Sequence, residues 1–221
     1  MAGRGLARLG GVCGLLYVLL MVPAYVVGYP DAPTPSSGAE EVVDYFGASP
    51  GTFVLANGVI AVFSTFFFLW FLAALNSVLR RAEGEEVGLS SAVLVGGTLF
   101  MALSCAGYAA EIIHPAAALR FENFAPGAQP AFTSLALSAW LYHFCQVGAS
   151  VMICATSLVA LGTGVLPRWL ALAGLVVSLL TLLHFLLPLL GAVAGLLWVA
   201  SVSALMLVAS GGASAPRRPA R

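Results

Sequence analysis

Tyr108-Ala109-Ala110-Glu111-Ile112-Ile113-His114-Pro115 closes an apolar run that begins at Leu89. The run exceeds the ~20 residues that a membrane-spanning helix needs. Glu111 and His114 stand three apart, so on a helix they are neighbours on one face. An acid and an imidazole at the end of a lipid-compatible segment require a reason.

The whole chain shares this apolar character. Of its 221 residues 61% are hydrophobic and 8% are charged, against about 25% charged in a soluble domain. Such a chain cannot cover a water-facing surface, so the lipid bilayer is its expected solvent. Net charge is zero, which argues against nucleic acid as a partner. All nine basic residues are Arg, which excludes lysine Schiff-base chemistry. The Arg-only, Ala- and Gly-rich usage fits a GC-rich bacterial genome. Cys13, Cys105, Cys145 and Cys154 all fall inside apolar runs without a CxxC spacing, as cysteines packed as small residues do.

Working outward, six spans are expected. The first runs from Leu9 to about Val27, too long for the 7–15-residue core of a signal peptide, and carries Gly10-x-x-x-Gly14 for close helix contact. A polar loop, Tyr29 to Thr52, is broken by four prolines. Within it, Ser37-Gly-Ala-Glu40 has the spacing of a capping box opening a short amphipathic helix to about Phe46. The second span covers Phe53 to Leu79, the third Leu89 to His114, the fourth Phe132 to Leu161, the fifth Pro167 to about Leu187 and the sixth Gly191 to Ser210. Pro115 to Ala131 reads as a loop.

The fold class is therefore an all-α polytopic bundle of six transmembrane helices, a single domain over 1–210. Residues 211–221 form a basic cytoplasmic tail expected to be disordered. Six spans put Arg4, Arg8, Arg80, Arg81, Arg168, Arg217, Arg218 and Arg221 on one side and Arg120 alone on the other. By the positive-inside rule both termini are cytoplasmic and the protein sits in the inner (cell) membrane.

Two helical stripes point inward. Gly97, Ser104, Gly107 and Glu111 share one side of the third span, and His143, Gln146, Ser150, Cys154 and Ser157 step down the fourth. Measured from the cytoplasmic ends at 1.5 Å per residue, His184 lies ~24 Å up, His143 ~27 Å and Glu111 ~33 Å, with His114 a turn higher. The hydrocarbon is ~30 Å thick, so these residues share a height near the outer boundary.

Several readings are open to this pattern. In one, the third, fourth and fifth spans adjoin, and Glu111, His114, His143 and His184 ligate Zn or Fe. Tyr108, Gln146 and Ser150 then line an outward-facing pocket. A di-iron centre is disfavoured, because Glu-x-x-His occurs once where such bundles use it twice. In a plainer reading, the interface is simply where His, Tyr and Glu are tolerated, and no cofactor is needed. A bis-His haem between His143 and His184 fits by height alone. A coupled-ion transporter is disfavoured by the nearly uncharged midplane.

Gly11-Val-Cys-Gly-Leu-Leu-Tyr17, Glu40-Glu-Val-Val-Asp-Tyr-Phe46 and Gly164-Val-Leu-Pro-Arg-Trp-Leu170 together give a resemblance. From Arg4 to Ser210 the layout resembles uncharacterised multi-pass integral membrane proteins common in actinobacteria, grouped as domains of unknown function. Leu-Pro-Arg-Trp is the most specific part: Pro starts a helix, while Arg and Trp anchor it at the interface. The resemblance implies no activity. The preferred expectation is a non-enzymatic or auxiliary membrane protein that binds a small ligand at its outer face. The alternative is a membrane-embedded metal-dependent or redox enzyme using the His/Glu cluster.

Overall fold

The computed structural model describes residues 2–28, 33, 37–84, 88–122, 124 and 127–211. The described residues contain helices and no strand: α1 (Ala2–Gly28), α2 (Ala39–Ala48), α3 (Pro50–Phe53), a π-helical segment (Val54–Ile60), α4 (Ala61–Glu83), α5 (Leu89–Arg120), α6 (Ala128–Thr163), α7 (Arg168–Leu182) and α8 (Pro188–Gly211). In lipid every backbone polar group must be satisfied within the chain, and helices do this locally. Five rods are long and apolar enough to cross a membrane: α1, the continuous Pro50–Glu83 rod, α5, α6 and α8. The expected tail lies outside the described residues, apart from Gly211 at the end of α8.

Several boundaries move. The second rod begins at Pro50 and inserts a π-helical stretch before α4. Pro115 does not end α5, which continues to Arg120. Proline lacks an N–H, so the Glu111 carbonyl loses its usual helical donor there. One residue earlier, Ser134 Oγ donates to the Ala110 carbonyl from α6. Such neighbouring hydroxyls let a helix tolerate proline in an apolar setting. The fourth rod starts at Ala128. The fifth stops at Leu182 and the sixth starts at Pro188, which leaves His184 in a turn between them.

The most extensive pairing joins α5 and α6, while α1 packs between α4 and α8. Glycine makes the α5–α6 approach possible. A Cβ on Gly148 would stand 2.6 Å from the Gly96 carbonyl oxygen, and one on Gly96 2.7 Å from the Gly148 carbonyl oxygen. Backbone thus meets backbone, as small residues allow between membrane helices. The expected small-residue stripe on α5 is buried, with Gly97, Ser104, Gly107 and Glu111 all inside. The core proper centres on Phe68, Phe71, Leu72, Leu75, Met152 and Val202.

Helix α2 begins one residue later than expected, with Gly38 as its N-cap. It buries Val42 and Phe46 against Phe53 and Ala131 and leaves Glu40, Glu41 and Asp44 exposed. It thereby closes over the ends of α3 and α6 as a small aromatic cap.

The two ends of the bundle differ. One gathers the start of α1, the ends of α4 and α8, and the α6–α7 turn, where Gly3, Arg81, Leu166 and Met206 line one cleft. At the other, Tyr25, Asn57, His184 and Pro188 line a second. Helix α7 therefore runs between the two ends, although its 15 residues reach only ~22 Å.

Candidate functional site

The second cleft is a cavity of about 540 Å³ in the half of the bundle away from Arg4 and Arg81. It exists because α1 and α8 touch tightly only near the basic end. There Gly11 faces Leu207 and the Ser203 carbonyl, and Gly14 faces Ser203 and Phe71. Farther along, the Gly191–Gly195 stretch of α8 turns to α7 instead, where Gly191 approaches the Leu180 carbonyl oxygen. The gap that opens has a mouth of Val22, Val26, Leu189 and Val193, all exposed on the outside of the bundle.

Its floor is polar. Asn57 comes from the π-helical segment, Ser104 and Tyr108 from α5, Tyr142 and Gln146 from α6, and His184 from the α7–α8 turn. Asn57 is 5% exposed, yet its Nδ2 donates to nothing among the described residues. A buried amide donor left unpaired costs about 1–3 kcal/mol, and π-helical segments recur at functional sites. His184 Nδ1 is buried and likewise unpartnered. Gln146 Nε2 has only the Cys145 sulfur at 3.6 Å, and Ser104 Oγ donates to the Phe100 carbonyl at 2.7 Å. Among the described residues no Arg, Asp or Glu side chain lines the cavity.

Glu111 lies one layer behind this floor. It is 1% exposed, and Tyr142 Oη donates to its Oε2 at 2.8 Å. The Tyr142 ring fills the space left by Gly107, where a Cβ would stand 2.6 Å from a ring carbon. Tyr108 stacks obliquely on Tyr142 with centroids 5.5 Å apart, and its hydroxyl lies 3.8 Å from the Met21 sulfur. The carboxyl thus communicates with the cavity through a tyrosine hydroxyl.

The expected His/Glu convergence is not formed. Among the described residues no group of three or more His, Cys, Asp or Glu side chains could hold a metal ion. Common height does not bring the four donors together, because their helices turn them in different directions. Glu111 faces Tyr142 on α6. His114 enters the aromatic cap, between Phe46 at 6.3 Å and Phe124 at 6.4 Å. His143 is only half-buried and packs with Trp140 at 5.7 Å and Phe185 at 5.4 Å. His184 lies in the turn after α7. Among the described residues the four-donor Zn or Fe expectation therefore lacks its ligand set. Of the inward stripe on α6, Gln146, Ser150 and Ser157 are buried, while His143 and Cys154 are only partly so.

Tyr108, Gln146 and His184 of the expected pocket do line the cavity; Glu111, His114 and His143 do not. Tyr142 was not singled out from the sequence. Its signal is Gly107, one turn before Glu111, which marks room for a large ring beside the acid. Comparison with protein-family models, curated proteins and solved structures gives no match.

Proposed function

We propose that this chain is an auxiliary, ligand-binding membrane protein that crosses the bilayer six times, with both termini on the cytoplasmic side of the cell membrane. On this reading the cavity between α1 and α8 takes up an uncharged, oxygen-bearing amphiphile from the outer half of the bilayer. The observation that carries it is the unpartnered Asn57 amide at the buried end of a cavity with an apolar mouth. An alkyl chain matches the mouth, and a hydroxyl, ester or carbonyl oxygen on the head accepts from Nδ2. A phosphate head would meet no positive charge there. Ligand sites commonly combine apolar walls with a few placed polar groups in this way.

Six crossings count α7 together with the turn after it, and two facts support the count. Helix α7 runs from one end of the bundle to the other, and Phe185, Leu186 and Leu187 continue its apolar surface in the exposed turn. Arg4, Arg80, Arg81 and Arg168 share one end, as the positive-inside rule requires of a cytoplasmic side. Helix α2, its acidic face outward, then lies at the outer membrane surface. Kinship with the actinobacterial multi-pass group rests on the three short motifs quoted above.

The binding reading is tested with the purified chain and three ten-carbon probes: monodecanoylglycerol, decyl phosphate and decane. Thermal stabilisation should be greatest with the glyceride. Asn57→Leu should weaken glyceride binding about 2- to 10-fold, the worth of one net hydrogen bond. Equal binding of decyl phosphate, or unchanged glyceride binding by the variant, refutes the assignment. For topology, a periplasm-dependent reporter fused after Gly211 should be inactive and a cytoplasm-dependent one active; the reverse contradicts the orientation.

A further inference from the structure

The cleft at the basic end has a chemistry opposite to that of the outer cavity. It encloses about 680 Å³ between the start of α1, the end of α4, the α6–α7 turn and the end of α8. Among the described residues its charged lining groups are Arg4 and Arg81, and apolar ones include Val78, Leu205, Met206 and Val208. Val208 is 71% exposed, so the cleft runs out onto the apolar outside of the bundle. The nearest acid in sequence, Glu83, is engaged elsewhere: its carboxylate accepts from the Ser90 N–H at 3.1 Å at the start of α5. Arg81 has no ion pair or hydrogen bond among the described residues.

The position of Arg81 depends on a particular residue. Its guanidinium lies across α1 where Gly3 leaves space, and a Cβ on Gly3 would coincide with Nη1. Glycine at this point admits a guanidinium from α4 over the start of α1, beside Arg4. Arginine's planar fork suits a phosphate's oxygens better than a point charge does.

We propose that this cleft binds the headgroup of an anionic glycerophospholipid. Arg4 and Arg81 contact the phosphodiester, and an acyl chain follows the apolar wall past Leu205 and Val208. Basic recesses between membrane helices select anionic headgroups in this way. The open, apolar side of the cleft distinguishes a lipid from a free phosphate ion, which would gain nothing from that wall. This site is independent of the outer cavity and of its ligand.

The test uses the full chain in detergent, with native mass spectrometry of retained phosphatidylglycerol against phosphatidylcholine. Each arginine near an anionic head is worth about 5-fold, so Arg4→Gln with Arg81→Gln should cut the preference about 30-fold. Arg120→Gln, at the opposite end, should leave it unchanged. Gly3→Leu keeps every charge but occupies the space of the Arg81 guanidinium, and should lower the preference about 5-fold. Both arginines are exposed, so the double variant should fold. A double variant that discriminates as well as the native chain overturns the proposal, as does an equal loss in Arg120→Gln. Displacement of the lipid by millimolar inorganic phosphate would overturn the lipid assignment in favour of a simple anion site.

Discussion

Tyr142→Phe probes the link between the buried acid and the cavity. The substitution removes one oxygen and leaves the ring that fills the space beside Gly107. What is lost is the 2.8 Å hydrogen bond to Glu111, whose side chain is 1% exposed. In a soluble interior, a hydrogen bond to a buried acceptor of this kind is worth about 1–3 kcal/mol. In membrane proteins, measured side-chain couplings average ~0.6 and reach ~1.7 kcal/mol, because the unfolded chain also finds partners. Glu111 is fully buried and the geometry is good, so the upper half of that range applies, about 1–1.5 kcal/mol. Reversible unfolding in mixed micelles, followed by tryptophan fluorescence, gives the value. A double-mutant cycle with Glu111→Gln should then return a coupling of about 1 kcal/mol. A coupling under ~0.3 kcal/mol would refute the reasoning.

Two further outcomes follow from the packing. Gly148→Leu drives a side chain into the backbone of Gly96 and Phe100 and should cost more than the ~1–3 kcal/mol of ordinary overpacking, seen as loss of a monodisperse folded peak, whereas Gly162→Ala, with open space around it, should behave as the native chain. His114→Phe removes an unpartnered ring nitrogen from the aromatic cap and should change stability by less than about 1 kcal/mol; a loss above ~2 kcal/mol in the same unfolding assay would show that the imidazole has a polar role there.

Chain proline and glycine show where local reading stops. Pro115 has the local signature of a helix end, yet α5 continues through it to Arg120, packed along α6, where Ser134 donates to the Ala110 carbonyl. The π-helical segment around Asn57 left no mark in the hydropathy pattern. The fifth apolar run was read to Leu187, and the helix stops five residues earlier, which lifts His184 out of a helix and into a turn. The inward stripes were more legible, since Glu111, Gln146, Ser150 and Ser157 are all buried. The outermost member, His143, shows how a stripe that winds round a helix can leave the interface before it ends.

The sequence by itself determined the helical class, the apolar length of the rods and the basic end. Those depend on apolar content, on backbone hydrogen bonds closed within each segment, and on where the arginines fall, all of which are properties of the chain taken locally. It also determined that four donors share one height. Only the tertiary structure decided that they do not share one point, because height follows from residue count while direction follows from how each helix is rotated against its neighbours. That rotation is set by contacts between distant residues: Gly96 on Gly148, Gly107 against Tyr142, Gly14 against Ser203. The same contacts hold α1 to α8 at one end and leave the cavity between them at the other.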